Sequence, residues 1–234
     1  MKIRDFTLLK WKIAINLIRI ANLVPSTNGT FSMENSLFNP EQQKRDVSSK
    51  IVAGLERISE VFKVLLWEKA KLVGLSPIQI QILIFIAFHK QELCNVSHLA
   101  KEFNVTKPTV SDAVRVLDKK GMVTKDFSTS DSRRYSLQLT EVGKNLVAET
   151  NNFAKPLKKQ IDKFNESELE SMFSTISELI YKLNRNGILM VQRTCYGCTF
   201  YQKNKGTNYC NLLQKELMAN DIRLDCPEYE ERVA

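Results

Sequence analysis

"SHLAKEFNVTKPTVSDAVRVLDKKGMV", residues 97–123, decides the fold. Its first part offers Ser97 as a helix cap, Leu99, Ala100 and Phe103 as a small inward face, and Asn104 as a left-handed stop. A second helix starts at Thr106, with Pro108 in its first turn. Val110, Ala113, Val114 and Leu117 then run along one side, and Gly121 ends it. Two short helices about three residues apart, the second turning cations and hydroxyls outward, form the pattern of a helix-turn-helix.

The flanks extend that reading. Upstream, from Ser49, Ile51, Leu55, Ile58, Phe62 and Leu65 recur at three- and four-residue steps and mark one apolar helix face. In "LSPIQIQILIFIAFHK", residues 75–90, isoleucine and glutamine alternate as in a strand. However, Ser76, Pro77 and Gln79 supply a cap, a first-turn proline and a capping-box partner, so a buried helix is expected. Downstream, "MVTKDFSTSDSRRYSLQLT", residues 122–140, reads as a hairpin. Its arms cover about 123–127 and 135–139, and its polar tip carries Arg133 and Arg134. A basic hairpin directly after a helix-turn-helix is a wing. Thr140 caps a long helix. Later, Leu169, Met172, Phe173, Ile176, Leu179, Ile180 and Leu183 form an apolar stripe that stops at Gly187 and suits packing against a second copy of the chain.

The expected fold is mainly α with a small β wing, a winged helix-turn-helix plus long dimerisation helices. Residues 1–48 form an N-terminal extension and 49–74 a dimerisation helix. The DNA-binding domain spans 75–140, the C-terminal dimerisation helices 141–190, and a four-cysteine module 191–234.

"LSPIQIQIL", "SHLAKEFNVTKPTVSDAVRVLDKKGMV" and above all "DSRRYSLQLTEVG" resemble the MarR-type winged-helix transcription regulators, over roughly residues 50 to 185. The resemblance implies a homodimer on double-stranded DNA, joined through its terminal helices, with the helix at 107–119 in the major groove. It also implies that Asp131 braces Arg133 as the wing enters the minor groove, and that a small ligand or an oxidant can release the regulator from DNA. The local chemistry points the same way. Thr106, Lys107, Thr109 and Ser111 open the second helix, where hydroxyls, a lysine and unpaired first-turn amides reach phosphates and base edges. Arg115 and Lys119 lie where they can hold backbone phosphates. Arg133, with Arg134 beside it, suits a narrow groove of enhanced negative potential. Asp112 departs from the family, many of whose members carry a basic residue there. It either accepts from a cytosine amino group or pairs with Arg115 at i+3.

Composition sets the frame. The chain has 234 residues, of which 43% are hydrophobic and 26% charged, an ordinary globular balance with a net charge of +8 that favours a polyanionic partner. Half of that excess lies in residues 1–32, where Lys2, Arg4, Lys10, Lys12 and Arg19 face only Asp5. There the apolar run "IAINLI" is too short for a signal core or a membrane span. An extension ahead of Met33 is the plainer reading, a cytoplasmic protein the expectation, and no membrane partner is implied. No phosphate-cradling glycine loop and no Ser/His/Asp arrangement occurs, and there are two histidines. His89 and His98 look isolated. An enzyme is therefore not expected.

Four of the five cysteines, Cys195, Cys198, Cys210 and Cys226, follow a C-x2-C-x11-C-x15-C spacing near the C-terminus. A tight turn at Gly197 would aim the first two sulfurs at one centre. In a chain without an export signal such clustering points to metal rather than to disulfides. All-thiolate zinc and a four-iron iron–sulfur cluster fit the ligand count equally, in a structural or a sensory role. Cys94 reads as a small core residue. The alternative to transcription regulation is a winged-helix interaction or assembly module with a structural zinc knob.

Overall fold

The computed structural model describes residues 36–127, 135–204 and 206–232. The extension 1–35 and the wing tip, with Asp131, Arg133 and Arg134, lie outside the described residues. The chain divides into two compact units, 1–57 and 58–234.

In the first unit, Asn39 caps helix α1 (Pro40–Arg45) by accepting from the Glu41 amide at 3.0 Å. Asp46 then accepts from the Ser48 and Ser49 amides, both at 3.0 Å, and from their hydroxyls. These bonds, led by the Ser49 and Ser48 hydroxyls, lower the Asp46 carboxyl to about 2. They also open helix α2 (Val47–Val73) two residues before the expected start at 49. The helix continues into the second unit.

There, Ser76 opens α3 (Pro77–Phe88), its amide donating to the Gln79 side chain at 2.8 Å, so the capping residues outweigh the strand-like alternation. Ile80, Ile82 and Leu83 are fully buried. Each such aliphatic side chain contributes about 1.5–3 kcal/mol relative to exposure. Next come α4 (Val96–Glu102) and α5 (Lys107–Lys119). The cap of α4 is Asn95, which accepts from the His98 amide at 3.0 Å; Ser97, expected as the cap, sits inside the first turn. Asn95 wins because its short carbonyl reaches back over the amide three residues on. Asn104 and Gly121 take left-handed φ of 50° and 66° and end the two helices. Leu99, Val110, Val114 and Leu117 join the core of α3.

The wing is the antiparallel pair β1 (Val123–Asp126) and β2 (Ser136–Leu139), in the register Val123 to Leu139. Each arm is one residue shorter than expected. Phe127 and Tyr135 lie beyond the ladder, their ring centroids 5.5 Å apart.

Thr140 caps α6 (Glu141–Thr150) through the Gly143 amide at 3.1 Å. The long helix expected from here is broken into α6, α7 (Lys155–Ile161) and α8 (Glu166–Arg185). Pro156 accounts for the first break: it has no N–H to give residue 152, and its ring would strike that carbonyl. The second falls at Asn165, which caps α8 by accepting from the Glu168 amide at 3.0 Å. The stripe on α8 divides. Phe173 packs on the cysteine module, whereas Met172, Ile176 and Leu179 stay exposed.

The last segment adds a sheet that sequence reasoning did not anticipate. Strands β3 (Tyr201–Asn204), β4 (Thr207–Cys210) and β5 (Lys215–Leu217) pair antiparallel in that order. They are short and largely polar, with no alternation to read. Among the described residues, no single helix is long and apolar enough to cross a membrane.

Candidate functional site

Helix α5 has two faces. Val110, Ala113, Val114 and Leu117 are buried, while Lys107, Thr109, Asp112, Arg115 and Lys119 stand exposed, with Ser111 half-buried between the two sets. Thr106 forms the cap. Its hydroxyl accepts from the Thr109 amide at 3.3 Å and lies 2.8 Å from the Thr109 hydroxyl, which fixes both oxygens at the helix entrance. Arg115 donates to Asp112 at 2.7 Å, so the unusual carboxylate is paired along its own helix. That pair is exposed on both sides, which makes it weak and open to exchange for a phosphate.

Behind this face the wing is stitched to the helix-turn-helix. Thr140 donates its hydroxyl to the Gly121 carbonyl at 2.6 Å and its amide to the Met122 carbonyl at 3.1 Å. Lys125 pairs with Asp118 and lies 5.6 Å from the Tyr135 ring centre. These contacts fix the base of the hairpin against α5.

The cysteines form a second site. Cys195 and Gly197 bound a single tight turn, and Cys198 donates its amide back to the Cys195 carbonyl at 3.0 Å. Cys195, Cys198, Cys210 and Cys226 all line one cavity of about 30 Å³, shared with the apolar Phe200, Leu212, Leu213 and Leu217 and with Asp221, Arg223 and Glu228. All four are free thiols. The Arg223 amide donates to Cys195 Sγ at 3.3 Å, and the Arg223 guanidinium reaches Cys226 Sγ at 3.7 Å. Burial pushes the Cys195 thiol up, and the three neighbouring cysteines add to the rise. Among the described residues, no group of three or more His, Cys, Asp or Glu side chains is set to hold a single metal ion as it stands. Cys94 is apart, buried in the core beside α4, with its thiol pushed up to about 11 by burial.

Between the two sites lies a polar node that sequence reasoning missed. Arg193 donates to both Glu102 oxygens, at 2.9 and 3.0 Å, and to Asp225. His89, read from sequence as isolated, lies 2.6 Å from Asp225 and stacks on Phe85 at 3.8 Å. His98 sits 3.5 Å from Glu102. Burial lowers the His98 pKa, and Arg193 and Lys101 reinforce this against the pull of Glu102. Burial opposes charge on Arg193, but the bonds to Asp225 and Glu102 outweigh it and hold the guanidinium above its ordinary range. For Asp225, the Arg193 and His89 bonds overcome burial and keep the carboxyl below its usual value. The node joins α4 of the helix-turn-helix to the residues flanking Cys195 and Cys226. Its members lie up to 136 residues apart, so no local motif signals it.

Comparison with known proteins bears on the winged helix-turn-helix, the candidate reader of DNA. The MarR family model matches residues 73–134. The HTH-type transcriptional repressor YetL of Bacillus subtilis (strain 168) is 26% identical over 113 residues, 47% of this chain and 67% of that protein. Among solved structures, Staphylococcus aureus MepR in its DNA-binding conformation aligns with a TM-score of 0.51 at 23% identity, over 57% of this chain and 98% of that one. The MepR–DNA complex aligns at 0.48 and 26%, over 55% and 94%. The family model stops short of the cysteine module. Residues 73–134, which fold as a winged helix-turn-helix, are thus similar to the MarR family over that segment.

Proposed function

We propose that this chain is a sequence-specific DNA-binding transcription regulator, a repressor acting as a homodimer. The observation that carries the reading is the division of α5. Its inner face is locked into the core, and its outer face offers Lys107, Thr109, Ser111, Arg115 and Lys119, with none of the other described residues covering the exposed ones. An element so placed enters a major groove with its N-terminal turn foremost. The likeness of this segment to a transcriptional repressor supports the same reading. So do the exposed apolar residues of α2 and α8, which a second copy would cover.

Selection from a random duplex library with the full chain tests it. The expected product has two half-sites about one helical turn apart. Lys107→Ala and Arg133→Ala are each expected to weaken binding to that product roughly tenfold without changing the far-ultraviolet circular dichroism spectrum. No enrichment, with salt-insensitive capture of a protein partner instead, would favour an assembly module.

A further inference from the structure

The four-cysteine cavity bears on the two metal chemistries that the spacing leaves open. In tetrahedral zinc each sulfur lies about 2.3 Å from the ion, so the sulfurs stand roughly 3.8 Å apart with no solvent-sized space between them. Here the four cysteines border a cavity of about 30 Å³. A water molecule needs roughly 10–15 Å³ of such space, so the cysteines border more room than one ion between touching sulfurs would leave, and among the described residues no three such donors converge on one ion.

The walls fit a larger inorganic core as well. Phe200, Tyr201, Leu212, Leu213 and Leu217 give it an apolar lining, with Tyr201 and Leu217 buried and Leu212 and Leu213 partly open to solvent, and Asp221 and Glu228 also border it. An amide donor at Cys195 Sγ and a guanidinium at Cys226 Sγ, both from Arg223, suit the negative sulfurs of a thiolate-bound cluster, although Glu228 shares that guanidinium at 2.9 Å and lies 3.5 Å from Cys226 Sγ. Such hydrogen bonds and positive charge are the groups by which a protein tunes iron–sulfur centres.

We propose that Cys195, Cys198, Cys210 and Cys226 ligate one four-iron, four-sulfide cluster in the cavity they line. The proposal is independent of DNA binding and stands or falls on metal content. The full chain is purified without oxygen and analysed for iron, acid-labile sulfide and zinc. The expected preparation is brown, with visible sulfur-to-iron absorption and about four irons and four sulfides per chain. Cys198→Ser is expected to lose most of the iron, and Cys94→Ser, in the core of the reader, to keep it. If Cys198→Ser does not fold, Arg223→Ala serves in its place: iron is retained and the visible spectrum or reduction potential shifts. A colourless protein with about one zinc per chain overturns the proposal, as does a protein carrying neither metal or one whose iron survives Cys198→Ser.

Discussion

At the scale of single residues, Gly143 shows how a motif position becomes a packing requirement. A Cβ there would lie 2.1 Å from the Met122 carbonyl oxygen, a backbone atom held by the Thr140 amide. Gly143→Ala is expected to cost about 1–3 kcal/mol, read as a lower urea midpoint; an unchanged midpoint would refute the contact. Asp225 gives a prediction in pH. Its carboxyl is depressed in the folded chain, so its contribution to stability is complete above the unfolded value near 4 and disappears as pH falls through the folded value. The melting-temperature gap between the parent and Asp225→Asn should therefore be widest near neutral pH and close in acid. A constant gap would mean that the ion pair with Arg193 does not form. Cap residues such as Ser76, Thr106 and Thr140 were legible in the sequence because each acts within about four positions of itself. Arg193 was not, since its partners Glu102 and Asp225 are far along the chain.

At the scale of elements, the reader was the most legible part. Helix α5 keeps three- and four-residue apolar spacing between a threonine cap and a glycine stop, and both signals hold in the structure. The segment after Thr140 was less so: the Thr140 cap reads as opening one long helix, without the break at Pro156, whereas the Leu169–Leu183 stripe lies within the single helix α8. The module strands were invisible: β3 and β4 bury little, and their pairing follows from packing around the cysteines rather than from propensity. Arg193 links these elements. Truncating one partner of a half-buried charge network leaves Glu102 and Asp225 without their shared cation. Arg193→Ala is thus expected to lower the thermal midpoint by several degrees. It is also expected to alter DNA affinity about fivefold at unchanged metal content. Unchanged midpoint and affinity would show that the node does not couple the module to α4.

At the scale of the molecule, the exposed side chains show what the single chain leaves unfinished. Ile58, Phe62 and Trp67 on α2 are 46%, 42% and 53% exposed, and Ile176 on α8 is 38% exposed. Exposed apolar faces are costly in water, and the proposed dimer would cover them. Sedimentation is expected to give the mass of a dimer, and Phe62→Glu with Ile176→Glu the mass of a monomer. The most direct measurement on the central claim is the salt dependence of duplex binding by the parent and by Lys107→Ala. The account expects steep weakening with salt, and a log–log slope shallower by about one unit in the variant. Binding that ignores salt, or a slope that Lys107→Ala leaves unchanged, would contradict the claim that α5 lies against DNA.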